Sequence, residues 1–239
     1  MTVADLESLR QKVRPLLDLA APADALPAYY ALHYDPPRTR LYVHEGASGR
    51  ADGFVAVCQT GKRLFQPTVV LRTADAHAAV ELLHQALTPD RPHYLITTPD
   101  LRDAVGEVVE IEQSGINRVY NLELVRFQPI INVLVVAEQG LGGRPRFVIR
   151  SQGKIASEAG INWHSPHFAE LFVRTVPAAQ GRGWGRAVLS ACTRWVLRSA
   201  RQPLYVVGAD NHPSIALADA VGYVDTGVRE FVADVVRRV

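Results

Sequence analysis

The chain has 239 residues, 48% of them hydrophobic, and a formal net charge of +2 at pH 7. That length supports a sizeable core in one large domain or two small ones, and the near-neutral balance gives no electrostatic case for nucleic acid or an acidic membrane surface. Two distant cysteines, Cys58 and Cys192, offer neither a disulfide framework nor metal-ligand spacing, and no apolar run is long enough to span a bilayer.

Residues 2–20 read as a helix that Thr2 could cap, with Val3, Leu6, Leu9, Val13, Leu16 and Leu17 near a 3.6 period and Pro22 as the stop. A second short helix follows over 23–34. Strands are expected over 41–45, 53–58 and 68–72, separated by turns at 46–49 and at Gly61-Lys62. A helix over 74–87, a strand over 94–98, a helix from Pro99 to about Glu112 and a strand over 119–127 complete the first half. The Gly- and Pro-rich stretch Phe127–Arg146, which includes Gly140, Gly142 and Gly143, is the best boundary; a covered strand over 132–137 fits within it. Beyond it come strands over 147–150, 155–163 and 168–176, an antiparallel meander. A helix over 186–197, a strand over 204–208, a helix over 212–221 and a strand over 229–236 follow. Cys192 falls inside the 186–197 helix and reads as a small core residue.

The loop between the 168–176 strand and its helix is Gln180-Gly-Arg-Gly-Trp-Gly-Arg186. The first N–H groups of a helix lack intrahelical partners and carry the positive end of the dipole, so a glycine-rich entry makes an anion site. Arg182 and Arg186 add full charge. No Gly-Lys-Ser/Thr ends the loop, which argues against a Walker A site. The next strand carries no acid before Asp210, which argues against a dinucleotide fingerprint.

Gln180-x-x-Gly183-x-Gly185 resembles the Q/R-x-x-G-x-G/A signature of the GNAT acetyltransferase superfamily. Downstream, Asn211 followed by a short helix and Gly222-Tyr223 resembles that family's Asn and Gly-Phe pair. The resemblance covers about residues 145–239, and its two-lobed form is similar to glycine N-acyltransferase-like proteins. It implies an α/β (α+β) fold: a mixed, mostly antiparallel sheet flanked by helices, with residues 129–239 as an acetyl-CoA-binding lobe. Residues 1–128 repeat the order of elements without the glycine loop, and are expected to form a degenerate lobe of the same kind or an unrelated α/β packing domain. The superfamily usually has one or two helices between its first two strands, for which only about fifteen residues are available here.

The resemblance further implies that acetyl-CoA is the cosubstrate. Its pyrophosphate is expected on Gly181, Arg182, Gly183, Trp184, Gly185 and Arg186 with Gln180, and its pantetheine on the backbone of Val173, Arg174 and Thr175, where the family splays two strands. Asn211 is expected beside the cofactor or as a helix N-cap. Acetyl transfer to an amine needs a base, an oxyanion site and help for the leaving thiolate. Glu170 matches the family's base on the strand before the loop. Its alternative is a structural ion pair with Arg174, and a loop one residue shorter than usual leaves its register open. The family's acid position holds Ala218. Tyr223 is the remaining tyrosine, with core packing as its alternative, and His164 and His167 read as turn residues. The expected protein is a cytoplasmic N-acetyltransferase, monomer or homodimer, acting on a small-molecule amine or amino acid. It is expected to bind no metal, nucleic acid or membrane. A non-catalytic acyl-CoA-binding protein is the rival reading.

Overall fold

A computed structural model describes residues 2–61, 63, 65–140 and 143–238. Lys62 and Gly142, expected in a turn and in the boundary stretch, lie outside the described residues. The chain divides into two compact units, one of residues 1–117 with 229–239 and the other of residues 118–228. The expected boundary at 128/129 was linear, whereas each unit here takes strand residues from the other half of the chain.

The first unit opens with α1 (Val3–Val13). Thr2 caps it as expected: its Oγ1 accepts from the Asp5 amide at 3.1 Å, and Asp5 Oδ2 accepts from the Thr2 amide at 2.8 Å. The helix ends before Pro15, which cannot continue the hydrogen-bond ladder. After α2 (Pro22–Ala28) and a wide π turn (Tyr29–His33), β1 (Thr39–Glu45), β2 (Ala51–Cys58) and β3 (Thr68–Thr73) form an antiparallel meander. The crossover helix α3 (Ala76–Ala86) then leads to β4 (Pro92–Thr97), parallel to β3. The helix expected over 99–112 is shorter: α4 spans Arg102–Val108, and β5 starts at Val109 and runs to Leu122. The last strand, β11 (Tyr223–Arg237), pairs antiparallel with β4 through Phe231–Val236. Phe231, Ala233 and Val235 thereby enter a core with Leu71, Leu82, Leu83 and Val105.

In the second unit the strand expected over 132–137 is displaced to β6 (Val136–Gln139), which is largely exposed at the sheet edge rather than covered. Five residues join it to β7 (Pro145–Ser151). Strands β7, β8 (Lys154–His164) and β9 (Phe168–Thr175) continue the antiparallel meander, α5 (Trp184–Arg198) crosses over, and β10 (Gln202–Gly208) lies parallel to β9. α6 (His212–Val221) precedes β11. The core joins Ile149, Ile161 and Leu171 to Val188, Leu189, Val196 and Val207. Cys192 is fully buried within it, as expected. Both units therefore run antiparallel strands (β1–β3 in the first, β6–β9 in the second), a helix, a parallel strand and a second helix. This is the mixed, mostly antiparallel fold with a repeated lobe that the sequence led us to expect.

Candidate active site

β9 and β10 pair in register only from Gln202↔Phe168 to Tyr205↔Leu171, although β9 continues to Thr175 and β10 to Gly208. Where pairing stops, a cavity of about 560 Å³ opens, within the size range of small-molecule sites. Val173, Arg174 and Thr175 form one wall of it.

The loop that leaves β9 makes a tight turn at Pro177–Ala179 and enters α5 with Gly183 as its N-cap. Gly183 has φ 72° and Gly181 φ 74°, with open space where a Cβ would stand, so the backbone angle rather than crowding calls for glycine. Gly185 is constrained differently: a Cβ there would lie 3.0 Å from Thr175 Oγ1. Thr175 Oγ1 is itself held by the buried Ser157 hydroxyl at 2.8 Å. No side chain caps α5. Helix geometry then leaves the amides of Trp184, Gly185 and Arg186 without intrahelical partners, at the cavity's edge and at the positive end of the dipole.

α3, at the same place in the first unit's order of elements, shows the contrast. Asp75 caps it, accepting from the His77 amide at 2.9 Å. A carboxylate already occupies that helix start, so it offers an outside anion nothing.

Of the eleven residues expected to hold a cofactor, ten line the cavity: Val173, Arg174, Thr175, Gln180, Gly181, Gly183, Trp184, Gly185, Arg186 and Asn211. Arg182 lines a smaller neighbouring hollow, its guanidinium 5.1 Å from the Trp184 ring centroid. Asn211 is the helix N-cap that was one of its two expected roles. Its Oδ1 caps α6 by accepting from the Ser214 amide at 3.2 Å, and the residue lines the cavity. Sequence reasoning missed Ala179, Pro213, Ser214 and Leu217. The last three lie on α6 at helical spacing, a signal that was available once Asn211 had been placed. The Ser214 hydroxyl sits 2.7 Å from Tyr205 Oη.

The two expected catalytic side chains lie elsewhere. Glu170 is buried on β9, one residue before the end of the pairing with β10, and is not among the residues lining the cavity. Its Oε2 accepts from Trp163 Nε1 and its Oε1 from Asn162 Nδ2, each at 2.5 Å. Asn162 is the bulged residue of β8, so the carboxylate fastens that bulge. The expected pair with Arg174 does not form; Arg174 lies 3.8 Å from Glu158.

Tyr223 is fully buried, its hydroxyl 2.8 Å from Thr193 Oγ1, and burial pushes the phenol well above its ordinary range. A proton donor must touch the leaving group, so the core-packing alternative for Tyr223 replaces the catalytic one. Ala218 is also buried. His164 and His167 are exposed around the β8–β9 turn.

Residues 157–232 match the family described as FR47-like protein. The chain is similar in structure to a GCN5-related N-acetyltransferase-like protein from Streptococcus suis (TM-score 0.63, 14% identity, 97% of this chain and 100% of that one). It is also similar to a Drosophila protein (TM-score 0.69, 14% identity, 98% and 97%). A third similar structure is a tandem GNAT protein from the clavulanic acid biosynthesis pathway (TM-score 0.56, 18% identity, 99% and 94%). No curated protein matches the sequence. At these identities the likeness establishes the fold, and that fold is the GNAT fold, in a two-lobed form. Among the described residues no helix is long and apolar enough to cross a membrane.

Proposed function

We propose that the chain transfers an acetyl group from acetyl-CoA to the primary amine of a small molecule or amino acid. One observation carries this reading: an uncapped, glycine-lined helix start faces a cavity at the point where two parallel strands stop pairing. The residues present suit the coenzyme. The Trp184, Gly185 and Arg186 amides, with Gln180 and Arg186 alongside, suit a pyrophosphate. The edge of β9 from Val173 to Thr175, released from β10, offers backbone groups to an amide-bearing arm. Acetyl-CoA supplies an acyl group already activated as a thioester.

The remaining chemistry falls to side chains. Glu170 stands on β9 outside the cavity lining, so as the base it takes the amine's proton through an intervening water, with Trp163 and Asn162 fixing its orientation. Ser214, on the cavity wall and backed by Tyr205, is the hydroxyl assigned to the leaving thiolate. The acceptor class rests on the near-neutral net charge, which provides no docking field for a charged macromolecule. A panel of free amino acids and small amines set against a lysine-containing peptide tests it. Thiol release with the small amines supports the reading, and release with the peptide alone overturns the acceptor class.

A second reading has its own support. Ala218 and Tyr223 are both sealed in the core, so neither reaches a thiolate. A non-catalytic acyl-CoA-binding protein accounts for that, and it predicts tight binding with no thiol release for any amine.

A further inference from the structure

Residues 127–137, which lead from β5 into β6, contain no charged side chain, and Arg126 and Glu138 flank them with opposite signs. Phe127, Ile130 and Val135 pack against the second unit's core, and the Ile130 amide donates to Ser190 Oγ on α5 at 2.9 Å. The side chains between them turn out. Ile131 is 85% exposed and Val133 94%, with Leu134 and Val136 about half exposed. Val133 and Leu134 form the tip of a turn in which Asn132 Oδ1 accepts from the Leu134 amide at 2.9 Å and the Asn132 carbonyl from the Val135 amide at 3.0 Å. Turn tips are ordinarily polar, so two aliphatic side chains there call for a reason. Six of the ten large apolar side chains exposed among the described residues lie between Leu124 and Val136, a cluster rather than the single exposed residues that any surface carries.

Those six expose on the order of 700 Å², close to the roughly 800 Å² that each partner gives to a standard interface. An apolar face without charge complements itself, which is what a two-fold contact requires. We propose that this face is the contact between two copies of the chain, related by a two-fold axis. The axis reverses one segment against the other and brings the Arg126 end of each to the Glu138 end of its mate. Arg126 has no ion partner among the described residues, and Arg150 engages Glu138 through Oε1 alone, which leaves Oε2 for the contact. A lipid surface would favour several cations around the apolar residues, and Arg126 is the one cation from Leu124 to Gln139. β6 is also the edge of the sheet, and a second copy over Val136 shields that open edge. None of the six residues lines the cavity, so a dimer through this face leaves the acetyl-CoA reading untouched.

The test is analytical ultracentrifugation of the wild type and Val133→Asp over a concentration series into the high-micromolar range. The wild type should pass from monomer to dimer mass. Val133→Asp should weaken the dimer on the order of 30-fold or more, because the contact would bury a carboxylate. Val133 is exposed in the single copy, so melting by circular dichroism, at a concentration where both proteins are monomeric, should match the wild type. If that control fails, Ile131→Asp is read in its place. A wild type that stays monomeric throughout would overturn the proposal, as would a dimer that Val133→Asp leaves intact, which puts the interface elsewhere. Pelleting of a monomeric wild type with phosphatidylcholine vesicles would also overturn it and assign the face to a lipid surface.

Discussion

Glu170 places a carboxylate in the buried part of β9, and the cost of that burial is offset by hydrogen bonds from Trp163 and Asn162. Glu170→Gln keeps the shape and removes the charge. As the general base, it should lower kcat by about 10²- to 10⁴-fold with little change in acetyl-CoA affinity; steady-state kinetics beside calorimetry check this. An unchanged kcat would make Glu170 a fastener of the β8 bulge and nothing more. Tyr223→Phe should do the opposite. It removes a buried hydroxyl bonded to Thr193, so unfolding stability should fall by about 1 kcal/mol while kcat stays level; a denaturant titration and a kinetic assay check the pair. The identity of these residues was legible in the sequence, but their partners were not. Arg174 shares a face of β9 with Glu170, yet Glu158 stands directly across from it on β8 and takes the contact. Cross-strand neighbours depend on register, which alternation within a single strand does not reveal.

At the level of elements, α3 and α5 show how one local rule gives opposite results. Asp75 satisfies the start of α3, whereas Gly183 leaves the start of α5 open. Both outcomes could be read from the sequence, because capping is decided within four residues. The extent of β5 could not. Val109–Ile111 has no local feature that forbids helix, and it became strand through tertiary pairing.

The β1–β2–α3 corner also carries a pH-dependent group. His44 lies 2.5 Å from Asp52 and 3.3 Å from Glu81, with Asp75 near, and His77 also meets Glu81 at 3.2 Å. The Asp52 hydrogen bond raises the His44 pKa above its ordinary value, against a smaller opposing effect of burial. A raised folded pKa means that the charged form stabilises the fold. That contribution is full below the unfolded value of about 6.5 and is lost as pH rises through the folded pKa. His44→Gln should therefore lose stability at pH 5.5 relative to the wild type and approach it above pH 8. Melting curves at the two pH values check this, and a constant difference would contradict it.

Taken as a whole, the chain closes its first unit with residues from its own end. Phe231, Ala233 and Val235 are buried in that unit's core, so a fragment of residues 1–128 lacks a strand against β4. Phe231→Ala should cost about 3–5 kcal/mol, and the 1–128 fragment should show no cooperative melting transition; calorimetry checks both. A fragment that melts cooperatively would show that β11 is dispensable. The exchange was not legible in the sequence, because a boundary read from Gly and Pro content is local while strand membership is not. The repeated order of strands and helices was legible, since hydrophobic period and turn residues carry it.

The central claim is that the open start of α5 binds the pyrophosphate of acetyl-CoA. Calorimetric titration of acetyl-CoA into the wild type and into Gly183→Asp, with Gly183→Ala as a control for the strain of a side chain at φ 72°, tests it most directly. The account predicts wild-type binding that the added carboxylate abolishes, and that alanine weakens far less. Equal affinity in the wild type and the aspartate variant, or no binding to the wild type, would contradict it.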